Sequence, residues 1–139
     1  MTSELRVDNL KGSTTGGSIN VLGEGTSNTT NLQQGLSKAW VNFSMAGTTA
    51  RSSFNFSSLT DVATGKFNVT MATPFSDTNY VATGYSSGYA SAGFVANQSH
   101  GIAVENRLSR TTTAYAFDSY IGSYVDSIEN RALVQGDLA

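Results

Sequence analysis

Lys38-Ala-Trp-Val-Asn-Phe-Ser-Met45 is the stretch that decides the fold class. Ala39, Val41, Phe43 and Met45 alternate with Lys38, Trp40, Asn42 and Ser44, the period of two with which successive side chains leave opposite faces of a β-strand. The first set is wholly apolar and faces a core. The second mixes polar side chains with the one tryptophan of the chain. Trp40 therefore needs cover other than the core, and a neighbouring subunit is the expected cover.

Downstream the same pattern recurs. Residues 51–56 carry Phe54 and Phe56, expected on one face. Residues 61–65 form an expected turn, and residues 66–71 alternate through Phe67, Val69 and Met71. Pro74, the only proline, marks a loop. Residues 79–86, 111–120 and 128–134 are further expected strands, with weaker signals at 94–96 and 101–104. Seven to nine short strands with turns about every ten residues predict an all-β protein, a β-sandwich of jelly-roll-like type. The only helical spacing is Leu32, Leu36 and Ala39.

Composition agrees. Ser, Thr, Asn and Gly are abundant, charged residues are only 13%, aromatics reach 10% and the net charge is -2. A disordered chain would carry more net charge and fewer aromatics. Eight basic residues scattered along the chain leave no electrostatic footprint for nucleic acid. No window approaches 18 apolar residues, so no membrane-inserting helix is expected, and Met1-Thr-Ser-Glu-Leu-Arg6 has no apolar core of a Sec-type signal. Five Asn-x-Ser/Thr triplets, beginning at Asn28, Asn42, Asn55, Asn68 and Asn97, follow from the abundance of those residues.

Residues 1–35 stand apart from 36–139. They hold no aromatic, and their apolar anchors are Leu5, Val7 and Leu10, then Ile19, Val21 and Leu22, each run an expected strand. Burying a large side chain yields roughly 1.5–3 kcal/mol, while ordering each residue costs about 1–2 kcal/mol of backbone entropy. Six anchors do not hold such a segment by themselves. Either it drapes over the following domain or several copies wind together, with Leu5, Val7, Leu10, Ile19, Val21 and Trp40 at the subunit interface.

Catalytic chemistry is not expected. With no cysteine and one histidine, His100 in a Gly/Ser loop, neither a metal site nor a hydrolytic triad is assembled from the pattern. Asp118, Asp126 and Glu129 read as solvated strand-end charges, and Asp61 and Asp77 as turn residues. No cofactor or metal is implied. The tyrosines are more informative: all six lie in the second half, and Gly84-Tyr-Ser-Ser-Gly-Tyr-Ala-Ser-Ala-Gly93 has the Tyr/Ser/Gly mixture of binding loops. Tyr85, Tyr89, Tyr115 and Tyr120 are the candidate contacts for a host surface or glycan, with packing in the sheets as the competing role.

Leu36-Ser-Lys-Ala-Trp-Val-Asn-Phe43, Arg51-Ser-Ser-Phe-Asn-Phe-Ser-Ser-Leu-Thr-Asp61, Gly65-Lys-Phe-Asn-Val-Thr-Met71 and Asn79-Tyr80 together resemble a module of tail-fibre-like proteins from marine and cyanobacterial bacteriophages. The ends, Glu4-Leu-Arg-Val-Asp-Asn-Leu10 and Val134-Gln-Gly-Asp-Leu-Ala139, resemble that group more loosely, and residues 84–130 match no part of it. The resemblance implies a virion structural or adhesion protein on the particle exterior, homotrimeric and without cofactors. It would attach to other virion proteins through its N-terminal segment and, in an adhesive role, contact a host polysaccharide or protein. The short chain points to a small fibre or a decoration protein. A carbohydrate-binding, lectin-like module with no virion role is the competing expectation.

Overall fold

The computed structural model describes residues 4–15, 19–22, 28–89, 99–104, 110–120 and 123–139. Two compact units divide between Leu36 and Ser37.

In the first unit, β1 (Asn20–Leu22) pairs antiparallel with β2 (Thr29–Asn31), and one helical turn, α1 (Leu32–Gly35), follows. The Leu32 amide donates to the Ile19 carbonyl at 2.8 Å, tying that turn to the start of the hairpin. The strand expected on Leu5, Val7 and Leu10 is not formed: residues 4–15 carry no regular structure. A strand needs a partner for its backbone hydrogen bonds, and among the described residues of this unit none pairs with the run.

The second unit contains β3 (Ala39–Ser44), β4 (Thr49–Phe54), β5 (Phe56–Ala63), β6 (Lys66–Met71), β7 (Val81–Tyr89), β8 (Ser99–Val104), β9 (Ala114–Tyr120) and β10 (Ser127–Gln135). All pair antiparallel, in the order β4-β3-β10-β7-β8-β9-β6-β5. The run β10-β7-β8-β9 is a Greek key: three strands follow one another and the fourth returns beside the first. The expected strand at 94–96 lies outside the described residues.

Phe43 shows how this sheet is bent. Its ring lies 5.2 Å from Phe117, edge-on, and 6.2 Å from Phe67. Those residues sit on β9 and β6, four and five places away in strand order, which in a flat sheet would be about 19 and 24 Å. The sheet therefore folds back so that β4-β3-β10-β7 faces β8-β9-β6-β5, consistent with a β-sandwich. Between the halves lie Ala39, Val41, Phe43 and Met45, with Phe67, Val69 and Met71 opposite and Tyr115, Phe117, Ala132 and Val134 alongside. The apolar set of the opening strand is its buried face, as its alternation requires.

Two turns differ from expectation. The turn expected at residues 61–65 shrinks to Thr64 and Gly65, because β5 continues to Ala63. Gly65 has φ of 67°, and a Cβ there would stand 2.6 Å from the Val125 amide nitrogen and 2.7 Å from the Ser119 carbonyl oxygen, so only glycine fits. Phe54 and Phe56 do not share an environment: Phe54 is exposed, while Phe56 packs against the core. Between them Asn55 takes the left-handed conformation (φ 50°), which breaks the alternation and redirects the chain from one half-sheet to the other.

Asn55 also acts as a staple. Its Nδ2 donates to the carbonyls of Lys38 (3.1 Å) and Thr73 (3.2 Å), and its Oδ1 accepts from the Thr73 amide at 2.6 Å. At about 1 kcal/mol net for each of these bonds plus about 1–2 kcal/mol of left-handed strain for a side chain lacking local bonds, Asn55→Ala should cost about 4–5 kcal/mol. Asn55→Gly, free of that strain, should cost about 1 kcal/mol less. Urea denaturation of the three proteins checks both the magnitude and the order.

Candidate binding face

Of the carboxylates noted in the sequence, Asp126, Asp77 and Glu129 are held in bonds within the fold. Asp126 Oδ1 accepts from the Gly65 amide at 2.6 Å, and Asp77 Oδ1 accepts from the Asn79 amide at 2.7 Å. Glu129 takes Arg51 at 3.0 Å and Arg131 at 3.1 Å. Asp61 lies on β5 rather than in a turn. Asp118 is buried on β9 opposite Lys66, not a solvated strand-end charge: both faces of β9 are covered from Tyr115 to Ser119. Among the described residues no three His, Cys, Asp or Glu side chains gather as a metal site. The side chain of His100 lies outside the described residues.

A buried polar cluster does assemble within the core. Ser86 Oγ bonds Ser119 Oγ (2.8 Å), Ser127 Oγ (2.6 Å) and Asn130 Oδ1 (2.8 Å), and Asn130 Nδ2 donates to the carbonyls of Ser127 (3.0 Å) and Phe43 (3.3 Å). These bonds tie β7, β9, β10 and β3 together. The hydroxyls meet one another and an amide, with no base in these bonds to activate a nucleophile. The cluster specifies strand register by satisfying groups that would be costly to bury alone.

The four candidate tyrosines do not converge. Tyr115 is 1% exposed and forms part of the core, which corrects its expected role as a contact residue: it falls on the inward register of β9 with Phe117. Burial pushes its phenol above the ordinary tyrosine range, and the Tyr80 phenol adds to the shift. Tyr120 is exposed at the end of β9 and meets Tyr124 edge-on at 5.3 Å, with Lys66 Nζ 4.0 Å from the Tyr124 ring centre. Tyr89 pairs with Ser127 through the backbone, its side chain lying outside the described residues. Tyr80, not singled out in the sequence, is buried, donates its hydroxyl to the carbonyls of Thr111 (2.8 Å) and Ala114 (3.0 Å), and stacks on Phe75 at 4.6 Å.

Tyr85 stands elsewhere, on the outer face of β4-β3-β10-β7, with Trp40. The register makes two rows there. Phe54, Trp40, Leu133 and Thr83 lie side by side across the four strands, and Ser52, Asn42, Arg131 and Tyr85 form the next row. Trp40 is 38% and Tyr85 45% exposed. Two strands across and two residues along, their Cα atoms are about 12 Å apart by standard strand spacings. Between them runs a groove of about 430 Å³ lined by Trp40, Asn42, Thr83, Tyr85, Arg131 and Leu133. Asn42 Oδ1, buried at this groove, has no hydrogen-bond partner among the described residues. Sequence reasoning found Trp40 and Tyr85 separately. It placed Asn42 on the face of Trp40 but missed Arg131 and Leu133, because these join the site only through the pairing of β3 with β10, over 80 residues apart in the chain.

The candidate interface aliphatics of the first unit are also on the surface. Leu5, Val7, Leu10 and Val21 are between 48% and 76% exposed, and Ile19 is half-buried. Compared with known proteins, the chain matches no family model, no curated protein and no solved structure.

The Tyr115 shift sets a pH dependence. A phenol whose ionisation is suppressed in the folded state contributes fully below the unfolded value of about 10; above it the unfolded chain gives up a proton that the folded state keeps, so stability falls progressively until the higher folded value is passed. Urea midpoints should therefore fall from about pH 10 upward, and Tyr115→Phe should flatten the fall.

Proposed function

We propose that the chain is a structural protein of a bacteriophage particle, a small homotrimeric fibre or decoration protein on the virion exterior that contributes to host attachment. The observation that carries this reading is the first unit's exposed aliphatic set. Leu5, Val7, Leu10, Val21, Leu22 and Leu36 all stand on the surface of a segment whose regular structure, among the described residues, is one pair of three-residue strands and one helical turn. Such a hairpin is marginal in water without further apolar burial. Copies wound about a shared axis would supply it, and a closed three-fold arrangement limits the assembly. The likeness of residues 36–80 to phage fibre modules supports the same reading. So does the Greek-key run β10-β7-β8-β9, which suits a jelly-roll-like head on an N-terminal attachment segment.

The groove between Trp40 and Tyr85 favours a second reading, a carbohydrate-binding, lectin-like module with no virion role. Adjacent capsid or tail genes and detection of the chain in purified particles separate the two.

Native mass spectrometry at micromolar concentration should show a species of three times the 14.6 kDa chain. Leu5→Asp combined with Val7→Asp should convert it to monomer while the far-ultraviolet spectrum of the β-sheet head is retained. A stable wild-type monomer at that concentration overturns the trimer.

A further inference from the structure

We infer that the outer face of β4-β3-β10-β7 is a saccharide-binding site, centred on Trp40 and Tyr85, that takes a short stretch of a polysaccharide chain. The inference rests on the ligand-binding role proposed above and gives it a location and a ligand class.

Three observations carry it. The first is the order of side chains. Trp40 and Tyr85 offer half-exposed aromatic rings, and the positions between them are filled by Asn42, Arg131, Thr83 and Leu133. A pyranose ring has this amphipathic pattern, with C–H groups on its faces and hydroxyls around its rim. Aromatic rings meet the faces, while an amide, a guanidinium and a hydroxyl reach the rim. The Arg131 side chain is 63% exposed, and its bond to Glu129 uses one of five N–H donors.

The second is the Asn42 amide. Its Oδ1 is buried without a partner beside the groove, at a cost of about 1–3 kcal/mol for an unsatisfied polar atom. A ligand hydroxyl donating to Oδ1 would satisfy it, which a purely apolar occupant would not do.

The third is size. The groove, about 430 Å³, falls within the usual range of small-ligand sites, about 300–1,000 Å³. A second copy of the chain would need more room. Four strands about 4.8 Å apart, β3 and β4 six residues long and β7 and β10 nine, cover a plan area of roughly 480 Å², whereas a stable interface buries about 800 Å² per partner. The face suits a narrow, hydroxyl-rich chain better than a flat protein surface.

Trp40 is the only tryptophan, so intrinsic tryptophan fluorescence reads this site alone. The full chain is titrated with dextran, mannan, xylan and polygalacturonate, and mobility is followed in gels containing each. At least one polysaccharide should shift Trp40 emission to the blue and retard the protein. Tyr85→Ala and Arg131→Ala should each weaken that binding tenfold or more, and Tyr85→Phe should retain it. No shift with any of the four overturns the inference, as does retardation that survives both alanine substitutions. A blue shift that grows with protein concentration alone also overturns it, since another copy then covers the face. Oligomeric state in the same samples is measured separately, so loss of the trimer and loss of the site give different results.

Discussion

The contact of Phe43 with Phe117 and Phe67 is the constraint on which the second unit depends. It closes an eight-stranded sheet upon itself and decides which side of every strand is interior. Once Phe43 is inside, the pleat sends Trp40 and Asn42 outward, and pairing with β10 sends Leu133 and Arg131 to the same side. Core and groove are thus opposite faces of one register. A slip of one residue between β3 and β10 would bury Trp40 and expose Phe43, losing both together.

The buried polar cluster guards that register. Apolar packing alone tolerates exchange among similar side chains, whereas Ser86, Ser119, Ser127 and Asn130 are satisfied only in one alignment of β7, β9 and β10. Asn130 adds β3 through the Phe43 carbonyl, so the residue that seats the core is also held from its backbone. Gly84 completes the fit. A side chain there would stand 2.6 Å from the Phe117 ring, so glycine at that place leaves the ring its space beneath Tyr85.

Much of this was legible because alternation is local. The faces of β3 and β6 read directly from Ala39 to Met45 and from Phe67 to Met71, and both runs are buried as their pattern demands. Alternation fails where a strand is covered on both sides or where the backbone turns left-handed. On β9 the side opposite Tyr115 and Phe117 is buried as well at Ala116 and Asp118, yet exposed at Tyr120. At Asn55 a single positive φ separates two phenylalanines that a continuous strand would have kept together. The groove was invisible for a different reason: its members come from β3, β7 and β10, and strand pairing over that distance is a property of the whole sheet.

The strand order also restricts where another molecule can attach. The sheet ends on β4 and β5, consecutive in sequence on either side of Asn55. An open edge invites pairing with another chain, and proteins blunt such edges with bulges and charges. β4 has a register irregularity opposite Asn42 and Phe43 and carries Arg51, while β5 has two irregularities and carries Asp61. Both edges are therefore poor templates for a continuing ladder. The proposed contacts use the groove face of the second unit and the exposed aliphatic side chains of the first. These surfaces differ in chemistry, one aromatic with interleaved polar groups and the other aliphatic, and so suit different partners.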